Sequence, residues 1–274
     1  MIDAIHVETG LVEVSGAPLS YDVAGSGPPL VLLHEGIADR RMYDDQFDAF
    51  ARRHRVVRYD LHGFGQSGTP DRPYAHHEAL RALLSHLGIT RAALLGMSMG
   101  GSIAIDFTLA YPSMVDALLL MATSIGGYTT SEAANNTFGA PIDAAFEAGD
   151  TTRAVELLLR VWVDGTKRDP DDVAPGVRAR VREMMAQAVT RPRGAAQPLD
   201  PPALGRLAEV SAPTLIIVGD GDIPDVLYQA DLLEDGIAGA QKVVLPRVAH
   251  VLNMECPTEV NRLVLDFLSA RRPV

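Results

Sequence analysis

The chain has 274 residues, of which 47% are hydrophobic and 22% charged, enough apolar material for a sizeable folded core. A formal net charge of −11 at pH 7 argues against nucleic-acid binding, which requires clustered Lys and Arg. The single cysteine, Cys256, excludes an internal disulfide, and the sequence has neither a signal-peptide pattern nor an apolar run near the ~18 residues of a membrane span, so we expect a cytoplasmic protein without membrane partners.

Strand patterns of two kinds follow in chain order. Residues 4–9 and 11–15 alternate around Gly10, and residues 19–23 follow a proline, which predicts an antiparallel opening of three strands. Short apolar runs then recur at residues 30–33, 55–59, 92–95, 117–121, 214–218 and 242–245. Such continuous runs are typical of parallel strands that are buried on both faces.

Helical patterns separate the apolar runs. Leucines recur at i, i+3, i+4 and i+7 from residue 80, and Gly88 ends this pattern. A second pattern begins at Pro257, with Arg271 and Arg272 near the negative end of its dipole. Because strands and helices alternate, the sequence predicts the α/β class, with a mostly parallel central sheet flanked by helices.

One long segment interrupts this alternation. Residues 124–207 contain no strand-like run, but they contain amphipathic stretches at 133–148, 152–163 and 177–189. We interpret the segment as a helical lid inserted between two strands of the sheet. The predicted organisation is therefore a core domain in two parts, residues 1–123 and 208–274, with a lid at 124–207.

A serine at a strand-to-helix junction is the first candidate catalytic residue. Gly96-Met97-Ser98-Met99-Gly100 has the pattern G-x-S-x-G between a buried run and a helical run. Glycines two residues on either side allow a sharp turn that holds the serine hydroxyl above the sheet. The start of the helix also directs its positive end and free N–H groups at this position.

A serine nucleophile needs a general base and an acid that orients the base. His250 follows the last predicted strand, at the carboxyl edge of the sheet, where open α/β folds bind ligands. Asp220, Asp222 and Asp225 follow the preceding strand and are the candidate acids. The chain order Ser, Asp, His is the order expected for one particular α/β fold.

Other motif-like patterns are interpreted as structural. Residues 63–68 fit G-x-G-x-x-G, but no helix follows them, and the D-G-D at 220–222 lacks the spacing of a calcium loop. We therefore predict no cofactor and no metal. Four histidines are expected to be structural: His62, His76, His77 and His86.

These motifs together resemble the α/β-hydrolase fold superfamily over nearly the whole chain. The matching features are the H-x-G turn after an early strand, YDLHGFGQSG from residue 59, GMSMGG, GDGD and the late histidine. The resemblance implies that Ser98 is the nucleophile and His250 the base. It favours Asp222, the second acid of GDGD, as the third member of the triad.

The resemblance also implies an oxyanion hole built from two backbone N–H groups. One should belong to Met99, which follows the nucleophile. Superfamily members commonly read H-G-x after the early strand, with x as the second donor. Aligned on His34, that donor is Gly36, with Ile37 as the alternative.

Glu35 departs from this pattern because it occupies the usual glycine. A carboxylate in the oxyanion hole would repel the charge that the enzyme must stabilise. We therefore expect Glu35 to point away from the hole and to form an ion pair, for which three arginines are candidates: Arg40, Arg41 and Arg58. The alternative is that Glu35 is a second general base or holds a water.

The segment HEGIADRRMYDDQF resembles the same region in enol-lactonase-like and small esterase-like hydrolases. This implies a serine hydrolase that acts on small esters or lactones through an acyl-enzyme, as a monomer or homodimer. Ile37, Trp162 and Val251, together with residues 157–159, are candidate pocket residues. The alternatives are a carbon–carbon bond hydrolase, a perhydrolase or an acyltransferase with the same triad, or a slow-turnover ligand receptor of the same fold.

Overall fold

The computed structural model describes residues 5–191 and 194–270. Its eight described strands form one sheet in the order β1-β2-β4-β3-β5-β6-β7-β8. In chain order the strands are β1 (Val7–Val14), β2 (Ala17–Ala24), β3 (Pro29–Leu33), β4 (Arg55–Tyr59), β5 (Ala92–Met97), β6 (Val115–Met121), β7 (Thr214–Gly219) and β8 (Gln241–Leu245). Strands β1, β2 and β4 pair antiparallel, and the remaining pairs are parallel.

The antiparallel opening contains two described strands, not the three predicted. Gly10 lies inside β1, opposite Tyr21 of β2, instead of between two strands. A β-carbon at position 10 would lie 2.3 Å from the Tyr21 hydroxyl oxygen. The glycine is therefore explained by close cross-strand contact, and the turn falls at Ser15 and Gly16, which both have positive φ.

The parallel strands confirm the prediction from the apolar runs. Every residue of β5 and β7 is buried, and the side chains of both faces pack into one hydrophobic cluster. Each observed strand lies within two residues of its predicted bounds. Because β3, β5, β6, β7 and β8 all run in the same direction, their carboxyl ends meet at one edge of the sheet.

Helices cover the sheet between these strands. The core helices are α1 (Asp44–Ala51), α2 (His76–His86), α3 (Met99–Ala110), α8 (Pro224–Gly236), α9 (Leu252–Glu255) and α10 (Pro257–Ser269). Helix α10 has Pro257 in its first turn, as predicted, and buries Val260, Val264 and Phe267. Arg271 and Arg272 lie outside the described residues.

Further helices lie between β6 and β7: α4 (Glu132–Ala134), α5 (Ala140–Glu147), α6 (Thr151–Leu159) and α7 (Pro175–Ala188). The helix predicted at 133–148 is divided, because a π-helical turn, Asn135–Gly139, joins α4 to α5. A second π-helical turn, Arg160–Asp164, follows α6. The described part of 124–207 contains one isolated bridge, between Ala196 and Tyr74, and no longer strand. Its role as a lid stays a prediction.

Within the described residues, no helix is long and apolar enough to cross a membrane.

Candidate active site

Ser98 lies on a sharp turn between β5 and α3. Its backbone has φ 50° and ψ −115°, a conformation that L-residues rarely adopt. Hydrogen bonds fix the turn on both sides: the Ser98 N–H donates to the Met121 carbonyl at 2.9 Å, and the Ser98 carbonyl accepts from Ser102 at 3.1 Å. The strained conformation is thus held by β6 and by the first turn of α3.

The glycines around Ser98 allow three backbone segments to meet. A β-carbon at position 96 would lie 2.3 Å from the Gly100 carbonyl oxygen. A β-carbon at position 100 would lie 2.2 Å from the Leu33 carbonyl oxygen. The predicted reason for the G-x-S-x-G spacing, close passage of backbones, is confirmed, and the start of α3 is packed against the end of β3.

Asp222 is the acid that contacts His250. Its Oδ2 lies 2.7 Å from His250 Nδ1, both side chains are buried, and Asp222 Oδ1 accepts from the Ile223 N–H at 2.8 Å. The other two candidate acids have different partners. Asp220 accepts from the Arg247 N–H, and Asp225 accepts from the backbone and hydroxyl of Ser131.

Gly36 and Met99 lie side by side, as the predicted oxyanion hole requires. A β-carbon at position 36 would be 3.9 Å from the Met99 β-carbon. His34 orients the peptide before Gly36: its Nε2 accepts from the Leu61 N–H at 2.9 Å, so its Nδ1 carries the hydrogen that is donated to the Glu35 carbonyl at 2.8 Å. In a trans peptide the Gly36 N–H then points the opposite way, away from His34.

Glu35 does not form the predicted ion pair. The three candidate arginines bind other acids: Arg40 binds Asp22 and Asp60, Arg41 binds Asp39 and Glu183, and Arg58 binds Asp22 and Asp44. Glu35 is instead 1% exposed, and neither of its carboxyl oxygens has a hydrogen-bond partner among the described residues. Its Oε2 lies 3.6 Å from His250 Nε2. The carboxyl group therefore faces the candidate base instead of an arginine.

The two carboxyl groups dominate the electrostatics around His250. Burial by itself lowers the pKa of His250, but the charge and hydrogen bond of Asp222 and the charge of Glu35 outweigh it and raise the pKa above 6.5. Burial raises the pKa of Glu35 to about 7, although His250 opposes this shift. Glu35 and His250 are therefore two titratable groups that face each other on the Nε2 side of the imidazole.

The predicted pocket residues lie in different environments. The Trp162 ring packs against the His250 ring with centroids 4.5 Å apart, and Trp162 and Ile37 are half-buried. Val251 and Leu159 are fully buried in the core. Trp162 therefore lies in contact with the candidate base.

In the sequence analysis, His34 had no role at the site, and Glu35 was considered as a general base or water holder only as the alternative to an ion pair. His34 was used there to align Gly36, and its bonds to Leu61 and Glu35 depend on how β3 packs beside β4. For Glu35, the signal was its place between His34 and the predicted donor Gly36. No group of three or more potential metal ligands is found in the parts of the chain that the structure describes.

Comparison with known proteins gives matches over most of the chain. A model of the alpha/beta hydrolase family matches residues 30–263. A 2-hydroxy-6-oxononadienedioate/2-hydroxy-6-oxononatrienedioate hydrolase of Paraburkholderia phymatum is 30% identical over 267 residues, 90% of each chain.

Solved structures extend the comparison. An enol-lactonase from Burkholderia xenovorans is 25% identical, with a TM-score of 0.79 over 95% of this chain and 100% of its own. An N-acyl homoserine lactone degrading enzyme is 26% identical, with a TM-score of 0.77 over 94% of this chain and 100% of its own. With the elbow at Ser98 and the parallel sheet already described, these matches show that the chain is a hydrolase that belongs to the alpha/beta hydrolase family.

Proposed function

We propose that the protein is a serine hydrolase of small carboxylic esters or lactones, with Ser98, His250 and Asp222 as its catalytic triad. The observation that carries the proposal is the 2.7 Å contact between His250 Nδ1 and Asp222, which leaves Nε2 to exchange protons at the carboxyl edge of the sheet. The strained turn at Ser98 opens at this same edge. The acid fixes the tautomer and stabilises the imidazolium that forms during reaction.

The reaction has two halves. Ser98 Oγ attacks the substrate carbonyl while its proton passes to His250 Nε2, and the same proton then goes to the leaving oxygen as an acyl-enzyme forms. Water repeats the sequence on the acyl-enzyme and releases the acid. The backbone N–H groups of Met99 and Gly36 are proposed as the oxyanion donors, each contributing on the order of 10²–10³ in rate.

The candidate substrates come from the relatives. The enol-lactonase and the lactone-degrading enzyme favour lactones or esters. A second candidate is hydrolysis of a carbon–carbon bond, which is favoured by the 30% identical 2-hydroxy-6-oxononadienedioate/2-hydroxy-6-oxononatrienedioate hydrolase. Either substrate would lie against Trp162 under the proposed lid, and we propose a monomer or homodimer that needs no cofactor.

The test compares wild type with Ser98→Ala, using p-nitrophenyl acetate, p-nitrophenyl butyrate and a set of small lactones. We expect turnover by wild type and a loss of at least ~10³-fold in kcat for the variant, because the nucleophile is lost. Equal activity of the two proteins would refute the triad.

The two substrate classes are separated by a direct comparison of kcat/KM. Small lactones and a 2-hydroxy-6-oxo-dienoate are offered to the same preparation. A higher kcat/KM for the dienoate by ~100-fold or more would replace the ester proposal with the carbon–carbon one, since kcat/KM measures relative transition-state binding.

A further inference from the structure

We propose that Glu35 is a further catalytic residue, which holds the attacking water against Nε2 of His250 in the second half of the reaction. The inference rests on the proposed acyl-enzyme chemistry and deepens it. In this role the carboxyl group accepts one hydrogen of the water, while His250 accepts the other.

The burial of Glu35 supports a functional role. A carboxyl group that is 1% exposed costs free energy unless something binds its oxygens, and no described residue does so. The arginines that could have neutralised it are bound to other acids. His34 donates to the Glu35 carbonyl at 2.8 Å, which restrains the backbone from which this side chain starts. The carboxyl group is therefore buried beside His250 without a hydrogen bond to any described residue.

The distance to His250 supports a bridging water. Glu35 Oε2 is 3.6 Å from Nε2, beyond the limit of ~3.2 Å for a direct N–H···O bond. One water oxygen can nevertheless lie within hydrogen-bond distance of both atoms. Nε2 is the nitrogen left free by Asp222, so it is the atom that must take a proton from the water.

The atoms of this step balance as follows. The water oxygen forms a bond to the acyl carbon, and the carbonyl electron pair moves onto the oxyanion. One water proton passes to His250 Nε2. The second hydrogen stays on the new hydroxyl group, which donates it in a hydrogen bond to the Glu35 carboxylate. The carbonyl then re-forms, the bond from carbon to Ser98 Oγ breaks, and Oγ takes the proton from His250.

Methanol provides a sharp test because it competes with water for the acyl-enzyme. Its only hydroxyl hydrogen goes to His250, and a methyl group replaces the hydrogen that Glu35 would bind. Loss of Glu35 should therefore slow hydrolysis without slowing methanolysis. A merely structural defect would slow both reactions alike.

The experiment measures the ratio of methyl butyrate to butyrate formed from p-nitrophenyl butyrate at pH 8.5, in buffered methanol–water mixtures. We expect Glu35→Met, an apolar residue of similar length, to raise the ratio roughly tenfold or more, the effect of losing a hydrogen bond to a charged group. Glu35→Gln, which keeps one acceptor oxygen, should give an intermediate ratio. Glu8→Gln, at an exposed site on β1, should leave the ratio unchanged.

Mass spectrometry of the quenched enzyme separates the two proposals. An acyl adduct on Ser98 of wild type, with an unchanged product ratio in Glu35→Met, would overturn the role of Glu35 alone. Absence of both adduct and turnover in wild type would overturn the proposed function, and the inference with it. An adduct together with a raised ratio supports both.

Discussion

At the scale of single residues, the buried carboxyl group of Glu35 makes stability depend on pH. Burial disfavours the charged carboxylate of Glu35 and raises its pKa from 4.5 in the unfolded chain to about 7 in the folded one. The folded state therefore binds more protons than the unfolded state between these values. The contribution of this group to stability is therefore greatest on the acid side of this window and is lost as the pH rises through it.

Glu35→Gln should reverse that loss. The shift in the pKa of Glu35 from 4.5 to about 7 corresponds to about 3 kcal/mol of stability that depends on its proton. We compare the free energy of unfolding of the variant with that of wild type at each pH. This difference should be more favourable to the variant at pH 8 than at pH 5, by about 2 to 3 kcal/mol. Denaturant unfolding of both proteins at the two pH values measures this. The same difference between the proteins at both pH values would contradict the buried, unpaired carboxyl.

The ion pair predicted for Glu35 implies the opposite sign, a modest loss of stability in Glu35→Gln. The sequence alone could not decide whether Glu35 is paired with an arginine or unpaired. Arg40 and Arg58 both bind Asp22, which lies on β2, and β2 pairs with β4 in the sheet. Such contacts depend on which strands are neighbours. By contrast, Asp222 and His250 are in contact, as predicted, because each follows a predicted parallel strand and the carboxyl ends of such strands lie at one edge of the sheet.

At the scale of elements, the elbow depends on close passage between β3 and α3. Gly100→Ala would place a β-carbon 2.2 Å from the Leu33 carbonyl oxygen, and rigid backbone cannot yield as a flexible side chain would. We expect a loss of at least ~2 kcal/mol in the free energy of unfolding, together with loss of activity, because the turn at Ser98 must shift.

A matched control exists in α7. Gly176 lies in the first turn of that helix with nothing within 4 Å of an added β-carbon. Gly176→Ala should therefore be neutral or stabilising by ~0.5 kcal/mol. Thermal or denaturant unfolding of the two variants gives the comparison. Similar losses in both would show that helix packing near Ser98 is looser than the structure indicates.

The sequence predicted the bounds of the strands well where both faces of a strand are buried. Runs of apolar residues marked the parallel strands because both faces of those strands are covered. The interruptions did not follow from the sequence. The π-helical turns at Asn135–Gly139 and Arg160–Asp164 were not predicted, because they differ from an α-helix in their hydrogen bonds and no residue type marks them. Gly10 suggested a turn, although it lies in mid-strand against Tyr21.

At the scale of the whole molecule, the helical segment and the core meet at Trp162 and His250. Trp162 is the only tryptophan in the chain, and its ring lies 4.5 Å from the imidazole. Because an imidazolium quenches indole emission, we expect fluorescence to rise as His250 loses its proton. The midpoint should lie above pH 6.5, since Asp222 and Glu35 together overcome the lowering effect of burial on the pKa of His250.

Asp222→Asn should move this midpoint to lower pH, because the charge and hydrogen bond that favour the imidazolium are weakened. Trp162→Phe, which removes the fluorophore, provides the blank. A pH titration of emission from pH 5 to 9 makes the measurement. Emission that does not vary with pH in wild type would show that the two rings are apart in solution.

The hydrogen bonds of Asn253, three residues after His250, bear on the order of folding. The side-chain amide of Asn253 donates to the Met42 carbonyl, 211 residues away in sequence. The backbone carbonyl of Asn253 accepts from the Gln46 side chain, 207 residues away. His250 meets Glu35 across a similar interval. No local segment can therefore assemble the site in advance. During synthesis on a ribosome, Glu35 and His250 can therefore meet only after the segment that follows β8 has emerged and packed against the end of β3.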